Sequence, residues 1–235
     1  MSAALAKNAE KEPTLIGILI LGVLMALIGS LLGFLCLASF PARAFSTPAE
    51  TEEFVSSKLD SYPMPGDAYY MQGPELRTNS WVSKRLQALS GDPVTLQLTA
   101  GELNAWMGAR FKPGNANELE GEANILVVPG IPNFYTEGQA MYISLPSQLL
   151  FYGLDLEFTA FAKGHFTSGP SPDFIVDEFH VNSASVPVQA GLAKKLGDFL
   201  VSAYSSSEEY LSLQGVWERV ESLELKDGSI RLNLR

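Results

Sequence analysis

Leu154-Asp-Leu-Glu-Phe-Thr-Ala160 alternates apolar and polar side chains along its whole length, and this alternation decides the fold of the water-soluble part of the chain. Successive side chains on a strand point to opposite faces, so Leu154, Leu156, Phe158 and Ala160 share one face and Asp155, Glu157 and Thr159 the other. One apolar and one polar face mark an antiparallel sheet covered on a single side. The neighbouring segments agree. Gln139, Met141, Ile143 and Leu145 alternate with Ala140, Tyr142 and Ser144. Ala123 to Val128 and Phe174 to Val181 read as further strands. Near the C-terminus, Leu223-Glu-Leu225 and Ile230, Leu232 and Leu234 flank Lys226-Asp-Gly-Ser229, and Asp-Gly is a strong hairpin turn signal.

Helices are expected on one face of that sheet. Ser80 to Leu89 carries Trp81, Val82, Leu86 and Leu89 at helical spacing. Val94-Thr-Leu-Gln-Leu98 is a strand, and Thr99-Ala-Gly-Glu102 after it has the capping-box form, which opens a helix bearing Leu103, Trp106 and Met107. Gln189 to Tyr204 has an apolar stripe of Leu192, Leu196, Phe199 and Leu200. A shorter helix is expected near Glu208 to Val220. Lys112 to Glu122, rich in Gly, Asn and Glu, reads as a loop. The fold class is therefore α+β: an N-terminal transmembrane helix, then an antiparallel sheet with helices packed on one face.

The transmembrane reading rests on Thr14 to Ala42, which holds no charged residue. Its apolar part, Leu15 to Phe40, would span ~39 Å as a helix, more than the ~30 Å of a hydrocarbon core. The expected layout is a cytoplasmic tail over 1–13, a span over 14–42, a stalk over 43–77 and an extracytoplasmic domain over 78–235. The rival is a signal peptide, since Ala42-Arg43-Ala44 has the small-x-small form of a cleavage site after Ala44. Lys7 and Lys11 before the span, against Arg43 after it, favour a cytoplasmic N-terminus and a large domain in the periplasm or cell exterior of a bacterial envelope. Gly29 and Gly33 form a G-x-x-x-G that would let two spans approach and pair as a homodimer.

Charge narrows the partners. The chain carries −10, residues 1–43 carry +1 (Lys7, Lys11 and Arg43 against Glu10 and Glu12), and −11 is left for the remainder. A domain so acidic is repelled by phosphate backbones, which argues against nucleic acid. Cys36 is the single cysteine and lies inside the apolar run, so neither an intramolecular disulfide nor a cysteine-based zinc site is available. Bulky Phe34 and Leu35 before it argue against a lipidated cysteine.

Catalytic signals are sparse. No G-x-S-x-G occurs, and His165 and His180 are the only imidazoles. His180 and Glu178 share a strand face and could form an acid/base pair, and Asp155 and Glu157 share another. Solvated strand faces account for both. His165 reads as a surface histidine. No metal, no cofactor and no enzymatic activity are expected. The better reading is a membrane-anchored binding or scaffold protein that holds a lipid or other apolar ligand between sheet and helix. Leu192, Leu196, Phe199 and Leu200 would form one wall of the groove and Leu154, Leu156 and Phe158 its floor. The alternative is an assembly subunit that meets another envelope protein through its span and acidic face.

Three pieces together resemble the YpmS-like single-span membrane proteins of uncharacterised function: the N-terminal span, the strand-helix unit Val94-Thr-Leu-Gln-Leu-Thr-Ala-Gly-Glu-Leu-Asn104, and Val186-Pro-Val188 leading into the helix with Leu192 and Leu196. The resemblance follows the order of elements through most of residues 94–235. It implies a closing β-hairpin and brings no catalytic residues. Asn104 is the position it singles out, and a helix amide bonded to a neighbouring loop is the simplest role for it.

Overall fold

The computed structural model describes residues 14–58, 68–111, 125–151, 154–189, 191–205 and 207–235. Residues 1–13, the Pro- and Gly-rich middle of the stretch expected as a stalk, and the loop expected over Lys112–Glu122 lie outside the described residues. The chain divides into two compact units, Met1–Cys36 and Leu37–Arg235, each described by itself.

The first unit is built on α1 (Leu15–Ser39), 25 residues without a charge and without a buried side chain. Thr14 opens it, its hydroxyl accepting from the Gly17 amide at 3.2 Å. It is the one helix among the described residues long and apolar enough to cross a bilayer; a signal sequence would meet the same measure. No heavy atom outside the helix lies within 4 Å of the positions that a Cβ would take at Gly29 or Gly33.

The second unit is α+β. Its described elements are β1 (Arg43–Phe45), α2 (Pro48–Lys58), β2 (Tyr69–Met71), α3 (Ser80–Leu89), β3 (Val94–Thr99), α4 (Ala100–Arg110), β4 (Ile125–Pro129), β5 (Asn133–Glu137), β6 (Ala140–Phe151), β7 (Leu154–Phe166), β8 (Phe174–Val181), β9 (Ala184–Ser185), α5 (Leu192–Ser202), α6 (Glu208–Trp217), β10 (Val220–Lys226) and β11 (Ser229–Leu234). The antiparallel strands form two sheets rather than one. The larger has the order β4-β6-β7-β8-β9, with β5 also on β6; the smaller has the order β10-β11-β3. A short parallel pair, β1 with β2, is separate from both.

β6 and β7 are long, and Leu145 faces Ala160 across them. The apolar face seen in the sequence is the covered one where helices lie over it: Met141, Leu145, Ala160 and Phe179 are all buried. Met141 joins Ala88 of α3, Leu96 of β3, Val216 of α6, and Leu223 and Ile230 of the hairpin in one cluster, which ties the two sheets together. β4 and β5 share one edge of β6 and are separated by Gly130–Pro132. The break has a cause in β6. Pro146 has no amide hydrogen to give that edge; it only accepts, from the Gly130 amide at 2.7 Å. A Cβ on Gly130 would stand 2.7 Å from that same carbonyl oxygen.

The capping box forms as its residues require. Thr99 accepts from the Glu102 amide at 3.2 Å, and Glu102 reaches back to the Thr99 amide at 3.0 Å. Glu102 also takes the Lys84 ammonium at 2.6 Å, which links α4 to α3. One residue on, Arg85 of α3 forks onto Glu209 of α6 at 2.7 and 2.6 Å, while the Trp106 indole of α4 donates to Glu209 at 2.7 Å. Three helices thus meet on one buried carboxylate.

Candidate functional site

The residues expected to wall and floor a groove occupy different environments. On β7, Leu156 is 50 % exposed, although it shares a face with buried Ala160, and Phe158 is half-buried. The side chain of Leu154 lies outside the described residues. On α5, Leu200 is buried, Leu196 is half-buried, and Leu192 and Phe199 are 45 % and 55 % exposed. The reason is geometric. β8 covers β7 only from Ala160 onward, and α5 packs on β8, so the first residues of β7 run on past that cover.

Phe158 also lines a cleft of ≈ 440 Å³ with Pro41, Val128, Pro146, Glu157 and Asn182. Two residues missed in the sequence build this region. Asn182, at φ 49°, turns β8 into β9; its side-chain oxygen accepts from the Thr159 amide at 2.8 Å, and its amide nitrogen Nδ2 donates to the Ala38 carbonyl at 2.6 Å. The Ser183 amide donates to the Phe40 carbonyl at 3.1 Å, and the Ser183 hydroxyl accepts from the Ala68 amide at 3.3 Å. An Asn in the left-handed region after an alternating strand is a turn signal that the sequence does carry.

Of the stretch expected as a stalk, residues 68–76 are docked on the domain. Gly73 is buried, and the Asn133 side chain binds both its backbone groups, at 2.8 and 3.0 Å. A Cβ on Gly73 would fall 1.8 Å from the Phe134 carbonyl oxygen, so only glycine fits. Asn104 is buried beside it. It accepts from the Phe134 amide at 2.7 Å and donates to the Phe134 and Pro74 carbonyls, each at 2.9 Å. The amide imitates one more strand residue and takes both backbone groups of Phe134 on the free edge of β5.

The ionisable groups divide into structural and solvated. Burial alone would raise the Glu209 carboxyl, but Arg85 and the Trp106 indole outweigh it and hold the group below the ordinary range; Lys84 and the Thr99 amide do the same for Glu102. Burial raises the Tyr204 phenol, which donates to the Gly130 carbonyl. Glu178 pairs with Lys163 at 3.4 Å, and His180 instead lies flat on Phe161, ring centroids 4.5 Å apart, with Tyr70 stacked beyond. His165 Nδ1 meets Asp177 at 2.9 Å, both about half exposed. Among the described residues no group of three His, Cys, Asp or Glu side chains could hold a metal ion.

Burial pushes the His180 imidazole below its ordinary value, with Glu178 opposing in part, and its Nδ1 has no hydrogen-bond partner among the described residues. The folded state therefore prefers the neutral ring. Stability is complete above the unfolded value near 6.5 and is lost as pH falls from there toward the lower folded value. Thermal unfolding of the full chain in detergent should show a melting temperature that falls as pH drops below about 6.5. His180→Phe should flatten that slope; an unchanged slope would assign the dependence to other groups.

No family model, curated protein or solved structure matches this chain.

Proposed function

We propose that this is a membrane-anchored, extracytoplasmic binding protein that holds a lipid or other apolar ligand against the start of β7. One observation carries the reading. Leu156 is half exposed within a strand whose same face is buried farther along, and Phe158 beside it opens onto a cleft. The exposed Leu192 and Phe199 of α5 add apolar surface of the kind that marks interaction sites. The charge-free α1 supplies the anchor, and Lys7 and Lys11 ahead of it favour a domain outside the cytoplasm.

The test uses the full chain in native membranes and a fatty acid carrying a diazirine. After photolysis, label is expected on peptides covering 155–158 and 192–199 as well as on α1. Leu156→Glu should remove the label from the β7 peptide while the circular dichroism spectrum is kept. Label confined to α1 would overturn the reading. Protease added to spheroplasts should digest the domain and leave a small membrane-bound fragment; full protection would overturn the topology.

A further inference from the structure

The free stretch of β7 has a second property, carried by its backbone. Thr159 donates its amide to Asn182 Oδ1 and accepts from the Asn182 amide, each at 2.8 Å, so both its backbone groups point away from β6. The other side of the pairing agrees: Pro146 opposite Thr159 directs its carbonyl to Gly130, away from β7. Backbone direction alternates along a strand. Glu157 and Asp155 therefore present their N–H and C=O groups on the same outer edge. Among the described residues nothing pairs with that edge at Asp155 or Glu157; pairing starts with Asn182 at Thr159 and continues along β8 from Ala160.

Other edges of the large sheet are handled differently. The Asn104 amide takes both backbone groups of Phe134 on β5, and the Asn182 turn ends the line of β8. Among the described residues the Asp155–Phe158 stretch carries no proline, and the one irregularity of the β7–β8 pairing lies farther along, between Lys163 and Gly164. The stretch has charge: Asp155 and Glu157 are exposed on one face, and the apolar Leu156 and Phe158 lie on the other. A second copy of this chain in antiparallel register would set carboxylates against carboxylates and be repelled. A strand with basic side chains on one face and apolar ones on the other would meet complementary groups on both.

We propose that the Asp155–Phe158 edge of β7 accepts an extended peptide segment of alternating basic and apolar residues, which continues the sheet in line with β8. Backbone bonds to Asp155 and Glu157 hold it, its cations face the two carboxylates, and its apolar side chains lie over Leu156 and Phe158. The inference does not depend on a lipid ligand, because it rests on the edge and its charges.

The experiment is fluorescence anisotropy with the full chain in nanodiscs of neutral lipid at physiological salt. The probes are a labelled ten-residue peptide of alternating lysine and valine, its glutamate-valine counterpart, and the lysine peptide N-methylated at its central amides. The lysine peptide should bind at least ten times more tightly than either of the others. Asp155→Lys with Glu157→Lys, both at exposed positions, should reverse the preference in favour of the glutamate peptide, with the melting temperature kept. Equal binding of the N-methylated peptide would reduce the effect to charge alone and overturn strand addition. Equal binding of both charge types, or no binding of the lysine peptide, would overturn it as well.

Discussion

Arg85→Ala is expected to lower the unfolding free energy by about 3–5 kcal/mol, the range for removing one partner of a buried ion pair. Glu209 is only 6 % exposed and would keep the Trp106 indole as its remaining strong donor. A carboxylate in that position is held by the guanidinium fork at 2.7 and 2.6 Å; without the fork it bears its desolvation cost nearly unpaired. The double variant Arg85→Met with Glu209→Leu should recover most of the loss, because it removes both charges and keeps the volume. Denaturant unfolding of the full chain in detergent, followed by tryptophan fluorescence, reads both. A loss below 1 kcal/mol for Arg85→Ala would mean that water replaces the guanidinium, and that the three-helix junction is looser than its geometry implies.

The second large effect is at Asn104. Alanine there leaves the Phe134 amide and the Phe134 and Pro74 carbonyls without their partner, in a site where Asn104 is 4 % exposed. Unsatisfied buried groups cost about 1–3 kcal/mol each, and with some relaxation the total should be about 3 kcal/mol. Asn104→Asp should be worse than alanine, since it sets a carboxylate oxygen against two carbonyl oxygens. That order, aspartate below alanine below wild type in melting temperature, separates a backbone clamp from a space-filling role. An aspartate variant as stable as the wild type would show that the amide donors are dispensable.

The alternation of Leu154 to Ala160, the capping box at Thr99–Glu102, the Asp-Gly hairpin and the helix over Ser80–Leu89 were all legible because each is a local pattern with a local cause. The division into two sheets was not. It follows from β3 pairing with β11, a contact between distant parts of the chain that periodicity cannot register. β5 was also missed: Asn133–Glu137 is five residues between a proline and a glycine, and two of its side chains are aromatic, which reads equally well as a loop. Asn104 was singled out by the family resemblance, with a bond to a neighbouring loop as its simplest role; its particular partners, Phe134 and Pro74, were not legible. Exposure at Leu156 could not be foreseen either, because an alternating strand announces an apolar face without saying how far the cover extends.

The pairing of β3 with β11 also sets a timetable. Leu96 has to wait for Leu232, and at ordinary synthesis rates that interval is on the order of ten seconds. During it the edge of β3 that β11 will occupy is unpaired, and the cluster around Leu96 lacks Leu223, Ile230 and Leu234. The smaller sheet therefore cannot close while the chain is emerging; it forms only when nearly all of the domain is available at once. A chain in that state has high contact order and a bare edge, the two conditions under which folding is slow and association with other strands competes. Whatever assists this protein as it leaves the ribosome would meet β3 open, and would have to let go before β11 could take its place.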